Sequence, residues 1–144
     1  MPVTELPLDA PGRAELPGGL VLDTLPANHS AGALHLRVTG PGGVRVVFSG
    51  DTGPSKNLAR LAAGADLFVC ECALEREQVS IKHLWPEAVA QIVDNACPRQ
   101  VALTHFYPEV DEARALAVVG RSGVPVVRAR DGQVFDLAPT PTRS

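Results

Sequence analysis

The sequence predicts an α/β domain in which a mixed β-sheet carries helices on one face. Strand-like segments alternate with helix-like segments of about ten residues, which is typical of parallel strand pairs joined by crossover helices. Turn-forming residues at 41–43 and 131–132 separate further strand-like runs and predict antiparallel hairpins towards each end of the chain. A length of 144 residues suits a single domain with one hydrophobic core.

The first part of the chain reads as extended structure. Residues 1–18 are rich in proline and glycine, and we expect an extended lead-in or an edge strand there. Strands are predicted at residues 19–25 and 33–39. In the second of these, leucine and valine alternate with His35 and arginine, so we expect His35 on a solvent-facing side. A third strand at residues 44–49 is rich in β-branched residues and leads into the loop Ser-Gly-Asp-Thr-Gly.

The remaining segments alternate between helix and strand. Helical segments show apolar residues at intervals of three and four, whereas strand segments such as Leu-Phe-Val-Cys are almost continuously apolar, as in strands buried on both faces. The predicted helices lie at residues 54–64, 86–96 and 109–120, and the predicted strands at 65–72, 100–104, 124–128 and 133–137. Residues 139–144 are expected to form a frayed tail.

Composition narrows the function classes. The net charge is −3 and no basic run occurs, which disfavours a dedicated nucleic-acid binder but allows a phosphate-handling enzyme that uses metal ions. Three cysteines without repeated spacing argue against a disulfide framework and favour a reduced, cytoplasmic setting; Cys70 and Cys72 are expected to be buried apolar residues. No apolar run approaches the roughly 20 residues that cross a bilayer, so no membrane role is expected.

Three candidate metal ligands follow the ends of predicted strands. His29, Asp51 and His105 each lie in a short loop just after a strand, and ligands of α/β proteins gather at the carboxyl ends of strands. Imidazole nitrogen and carboxylate oxygen are the donors that Zn²⁺ and related divalent metals use. From its loop alone, Asp51 fits a cap of the following helix equally well.

The words around these residues resemble a known family. They are Asn28-His29-Ser30, Ser49-Gly50-Asp51-Thr52-Gly53, Lys82-His83 and Leu103-Thr104-His105-Phe106-Tyr107-Pro108. In this order and on these elements, they resemble the second half of the metallo-β-lactamase fold hydrolases, particularly ribonuclease Z and related phosphodiesterases. The resemblance implies that the sheet and its helices form the second half of an αββα sandwich.

The resemblance also implies roles for individual residues. His29 matches a histidine ligand of a first metal, Asp51 the carboxylate that bridges two metals, and His105 the last ligand of the second. His83 matches a histidine that lies near the scissile phosphate and assists proton transfer. Zinc is the metal implied first, with manganese or iron as alternatives, and the implied reaction is phosphodiester hydrolysis by a metal-bound hydroxide, in which Asp51 and His83 are the catalytic residues.

The family's first motif, His-x-His-x-Asp-His, is absent from these 144 residues, which contain four histidines, none of them two apart. We therefore expect the C-terminal half of a hydrolase, inactive alone, which an N-terminal half or a second chain completes. The alternative is a non-catalytic half-domain that serves as an association module. Either interpretation predicts an apolar sheet face, and hence a homodimer or hetero-oligomer of the isolated chain.

Two further residues lie close to this constellation in sequence. Glu71 sits at the end of a buried strand, where it is expected either to orient His83 or a metal ligand, or to be an ordinary surface acid. Trp85 precedes the helix at residues 86–96, where the family often has a serine or threonine cap. It either covers the site, contacts another half, or packs in the core.

Overall fold

The computed structural model describes residues 5–78 and 82–138. Within them lie a seven-stranded sheet and three α-helices. The strands are Gly12–Leu16 (β1), Leu20–Pro26 (β2), Leu34–Thr39 (β3), Arg45–Phe48 (β4), Leu67–Glu71 (β5), Val101–Thr104 (β6) and Val126–Arg128 (β7), and the helices are Lys56–Ala62 (α1), Pro86–Ala96 (α2) and Glu112–Val119 (α3). None of these helices is long and apolar enough to cross a membrane.

The strands are ordered in the sheet as they are in the chain. Strands β1 to β4 pair antiparallel with their neighbours, and β4 to β7 pair parallel. Helix α1 follows β4, α2 follows β5 and α3 follows β6, so each parallel pair is joined through a helix. The predicted mixed sheet is thereby confirmed, and part of the predicted lead-in proves to be the edge strand β1.

The strand predicted at residues 133–137 is wrong. Asp131 and Gly132 do form a turn, but residues 133–138 belong to no strand. The turn is closed locally, because the Gln133 N–H donates to the Arg130 carbonyl at 3.1 Å and the Gln133 side-chain oxygen accepts from the Arg130 N–H at 3.0 Å. That side chain occupies the donor that a hairpin ladder needs. The tail predicted at residues 139–144 lies outside the described residues.

All three helices cover the same face of the sheet. The strand side chains on this face are fully buried in one apolar cluster with residues of α1, α2 and α3. In α2, residues at helical spacing, Val89, Ile92 and Val93, turn towards that cluster. The buried strand residues are Val47, Phe68, Cys70, Val101 and Leu103. The prediction of helices on one face is confirmed.

The opposite face of the sheet is also apolar. Directly paired residues on neighbouring strands point to the same side of a sheet, and the register places Leu36, Phe48, Val69, Ala102 and Val127 in one row. Phe48 is 39% exposed and Val127 38% exposed. We call this row the open apolar face. None of the described helices packs on it.

His35 is a correction to the sequence analysis, because it is fully buried. Its Nδ1 donates to the Ser49 carbonyl at 2.6 Å, and its Nε2 accepts from the Ser55 hydroxyl at 3.0 Å. The predicted alternation in β3 is right, but the leucines face the open side while the polar residues face the helices. Burial lowers the pKa of His35 below its ordinary 6.5, an effect that the hydrogen bond to Ser49 partly opposes.

The cysteines behave as predicted. Cys70 and Cys72 are free and buried, whereas Cys97 is free and exposed. Burial raises the pKa of the Cys70 thiol well above its usual value and that of Cys72 to about 12, with the Glu71 carboxylate acting in the same direction. These two thiols are therefore neutral packing residues rather than metal ligands.

Candidate functional site

The candidate residues meet at one edge of the sheet. Strands β2, β4, β5 and β6 run in the same direction, because β2 and β4 each pair antiparallel with β3 and the last three are parallel. Their carboxyl ends therefore share one edge. His29 follows β2, Asp51 follows β4, Glu71 ends β5, and His105 follows β6. His83, in the loop between β5 and α2, lies at the same edge.

Distances within this cluster are short. The ring centroids of His29 and His83 lie 5.0 Å apart, and those of His83 and His105 lie 5.4 Å apart. The His105 Nε2 is 3.7 Å from Asp51 Oδ1. The structure thus brings all four residues together, although they are spread over more than 70 positions of the sequence. Their functional roles stay predictions.

Gly50 shapes the loop that carries Asp51. Its φ is +58°, and a Cβ built on it would lie 2.8 Å from the backbone carbonyl oxygen of Leu34. Only glycine meets both conditions without strain. The turn places Asp51 at the rim, four residues before Ser55, which is the N-cap residue of α1. The alternative interpretation of Asp51 as the helix cap is therefore wrong.

The loops of His29 and Asp51 are tied together by hydrogen bonds. The Asn28 N–H donates to the Thr52 hydroxyl at 3.1 Å, and the Gly53 N–H donates to the Asn28 carbonyl at 2.8 Å. Since these contacts flank His29 on one side and Asp51 on the other, they fix the relative position of the two candidate ligands.

His105 occupies an unusual backbone conformation. Its φ is +59°, in the left-handed region where histidine occurs more often than most residues but still pays a conformational cost of about 1 kcal/mol. Hydrogen bonds on both sides hold it there: the Cys72 N–H donates to the Thr104 carbonyl at 2.9 Å, and the Tyr107 N–H to the Ala73 carbonyl at 3.3 Å. Strained residues held in this way are characteristic of functional sites.

Glu71 is a fully buried carboxylate that joins the loops of the rim. Its Oε1 accepts from the Thr52 N–H at 2.7 Å and from His83 Nδ1 at 2.9 Å. Its Oε2 accepts from the N–H groups of Ala73 at 3.2 Å and Leu84 at 3.0 Å. The alternative of an ordinary surface acid is therefore wrong, and Glu71 orients the His83 ring.

The contacts of His83 define its hydrogen-bonding state. Since the Glu71 carboxylate accepts from Nδ1, the neutral ring carries its proton there, and Nε2 accepts from the Tyr107 hydroxyl at 3.1 Å. The His83 side chain is only 15% exposed, compared with 39% for His105 and 49% for Asp51. Its tautomer and orientation are thus set from both sides, as in the oriented histidines of acid-base catalysts.

Sequence reasoning missed two of these contacts. Tyr107, which touches His83, was quoted in a motif without a role, although its position two residues after His105 places it on the same rim. Lys82 was likewise only a neighbour of His83, yet its Nζ donates to the His29 carbonyl at 2.7 Å and links the two loops. Trp85 packs half-buried against the core cluster and has no side-chain capping bond to α2.

The donors of the rim suit a divalent metal in type but do not complete a site. Two imidazoles and a carboxylate are the usual donor chemistry, and His105 and Asp51 already face each other. However, the described residues contain no group of three histidine, cysteine or acidic side chains placed to hold a metal ion. The rim therefore fits one part of a metal centre.

Comparison with known proteins agrees with this geometry. A family model described as the beta-lactamase superfamily domain matches residues 2–106. An uncharacterised protein of Mycobacterium leprae is 30% identical over 128 residues, covering 83% of this chain and 43% of the relative. The ribonuclease Z of Brevibacillus brevis is 36% identical over 74 residues, covering 49% of this chain and 23% of the enzyme. The chain thus spans less than half the length of either relative.

Solved structures share the fold. The metallo-beta-lactamase fold protein YhfI from Bacillus subtilis superposes with a TM-score of 0.77 at 21% identity, covering 90% of this chain and 53% of that one. Human tRNase Z, short form, gives a TM-score of 0.63 at 20% identity, covering 83% and 44%. The seven-stranded sheet and its three helices thus form part of a metallo-β-lactamase fold, and the chain belongs to the beta-lactamase superfamily domain family.

Proposed function

We propose that this chain is one half of a metal-dependent hydrolase that cleaves phosphodiesters. The observation that carries the proposal is the convergence of His29, Asp51, His83 and His105 on one rim, with ring centroids 5.0 to 5.4 Å apart. The curated relatives named ribonuclease Z support phosphodiesters as the substrate class.

In this proposal the protein's own groups handle the proton. Glu71 holds the His83 ring through Nδ1, so Nε2 exchanges its contact with Tyr107 for an oxygen of the substrate. An imidazole held in this way can deliver a proton to the leaving oxygen near neutral pH. Tyr107 keeps the ring in place while the site is empty of substrate.

His29, Asp51 and His105 would hold the metal, with Asp51 between two ions and further ligands from a second sandwich layer. When bound, a divalent metal supplies an activated water molecule and neutralises charge on the phosphate. We propose zinc as the metal because imidazole and carboxylate donors suit it, with manganese or iron as alternatives.

The test uses tagged protein isolated from its native host with any chain that co-purifies. Asp51→Ala is expected to lower bound metal and to reduce turnover of bis(p-nitrophenyl) phosphate by more than about 100-fold, since even outer-shell partners of metal ligands contribute 10- to 100-fold. Asp131→Ala, an exposed acid in a distant turn, is the matched control. Metal content and turnover that survive Asp51→Ala would contradict the proposed role.

A second candidate function, association without catalysis, is favoured by the open apolar face. Phe48 and Val127 expose more than a third of their surface there, and such patches mark interaction surfaces. We propose that this face packs against a second layer, from an N-terminal half or another chain, and that the isolated chain pairs with itself.

Sedimentation velocity separates these states. Phe48→Lys is expected to shift the isolated chain from dimer to monomer, whereas Val134→Lys, at an 82% exposed position outside the sheet, should not. A monomeric wild-type chain would count against the open face as an interface. Turnover by the co-purified protein then distinguishes a hydrolase from a module that only associates.

A further inference from the structure

A cleft of about 470 Å³ lies between α1 and α2, on the helix-covered side of the molecule. Its size falls in the usual range for small-molecule sites. The half-buried Trp85 lies at its wall together with Ile92 and Ala59, and Lys56, Gln91 and Asn95 add polar groups. The cleft is separate from the rim of candidate metal ligands, none of which lines it.

The polar groups of the cleft are unengaged. Lys56, Gln91 and Asn95 are exposed, and over residues 5–78 and 82–138 their side chains make no hydrogen bond or ion pair. No acidic residue lines the cleft. In a chain of net charge −3, the cleft therefore carries one positive charge and suits an anion.

The cleft adjoins the candidate active site. Trp85 follows His83 by two residues, and Pro54, which also lines the cleft, accepts a hydrogen bond through its carbonyl from the Asn28 side chain at 3.1 Å. Asn28 directly precedes His29. A substrate held at the rim can thus extend into the cleft past Trp85.

We propose that this cleft binds the base of a nucleotide, with its phosphate near Lys56. Trp85 offers an aromatic surface on which a base can stack, and stacking tolerates every base. The side-chain amides of Gln91 and Asn95 can donate to and accept from the edge of a base. This assignment extends the proposed phosphodiester hydrolysis by naming nucleotides as the substrate class, and binding tests it without turnover.

Intrinsic fluorescence provides a direct measurement, because Trp85 is the sole tryptophan of the chain. Adenosine 5′-monophosphate is expected to quench it saturably, whereas ribose 5-phosphate, which lacks the base, should not. Adenosine, which lacks the phosphate, should quench with weaker affinity. Equal responses to the nucleotide and ribose 5-phosphate, or no saturable quenching up to about 10 mM nucleotide, would overturn the proposal.

Substitutions locate the binding site. Lys56→Ala is expected to weaken nucleotide affinity about tenfold, since charge-assisted contacts are the strong ones, and Gln91→Ala to weaken it severalfold. Arg60→Ala, which removes an exposed cation one turn further along α1 and outside the cleft, should leave affinity unchanged. Equal effects of Lys56→Ala and Arg60→Ala would place the nucleotide elsewhere and overturn the assignment.

The two proposals fail independently. Saturable quenching in a protein without phosphodiester turnover would keep the nucleotide cleft and reject the hydrolase. Turnover without quenching would keep the hydrolase and reject the cleft.

Discussion

Replacing Glu71 by glutamine tests whether one buried carboxylate holds the rim together. The substitution keeps the shape of the side chain but turns one oxygen into an NH₂ group. Oε1 now faces the Thr52 N–H and His83, and Oε2 faces the N–H groups of Ala73 and Leu84. Whichever way the amide lies, its NH₂ group points at a backbone donor.

The structure sets the magnitude of this effect. With the NH₂ group at the Oε1 position, His83 can change tautomer and accept, so the Thr52 N–H alone loses its acceptor. A buried donor without a partner costs about 1–3 kcal/mol, and loss of the charge weakens the remaining bonds by about 1 kcal/mol more. We therefore expect Glu71→Gln to reduce the free energy of unfolding by about 2–4 kcal/mol, and Glu71→Ala to reduce it further.

Urea denaturation followed by circular dichroism measures this difference. Glu77→Gln is the matched control, because Glu77 is exposed and lies six residues further along the chain. Its free energy of unfolding should stay within about 0.5 kcal/mol of wild type. If Glu71→Gln behaved like this control, the carboxylate would not be holding the loops, and the orientation of His83 would need another cause.

Three other substitutions or conditions have defined outcomes. Gly50→Ala should lower the urea midpoint by at least about 1–2 kcal/mol in stability, since it needs a positive φ and meets the Leu34 carbonyl. A thiol reagent at about pH 7.5 should label Cys97 and spare the buried thiols. Because burial raises the pKa of Cys72 from 9.0 to about 12, stability should fall as pH rises through that window. The lowered pKa of His35 makes the unfolded chain the better proton acceptor, so stability should also fall below pH 6.5, and His35→Gln should flatten this slope in urea titrations.

The regular elements were predictable because their signals are local. Helix α2 begins and ends where the sequence indicates, since Pro86 is pre-organised for a first helical position and Pro98 follows the last turn. The strand predicted at residues 133–137 failed for the same kind of reason. There the Gln133 side chain satisfies the Arg130 N–H within the turn, a contact that a dipeptide signal does not contain.

The site was predictable to the extent that it depends on strand direction. His29, Asp51 and His105 each follow a strand, and parallel directions bring such loops to one edge. The hydrogen bonds of Glu71 were predictable only as an option, because they join residues from Thr52 to Leu84 that meet through the fold. The contact of Tyr107 with His83 has the same origin.

The inverted faces of β3 connect the fold to the proposed second layer. Alternation along one strand gives two faces but not which of them is inside, and here His35 and Arg37 face the helices while Leu34 and Leu36 face the open side. The polar face is tolerable inside because its groups are satisfied: His35 by Ser49 and Ser55, and Arg37 by the Asp23 carboxylate at 2.9 Å. Leucines on the open side gain their full hydrophobic stabilisation only when they are covered. The strand therefore has the pattern of one buried from both sides, which is the arrangement that a sandwich with a second layer provides.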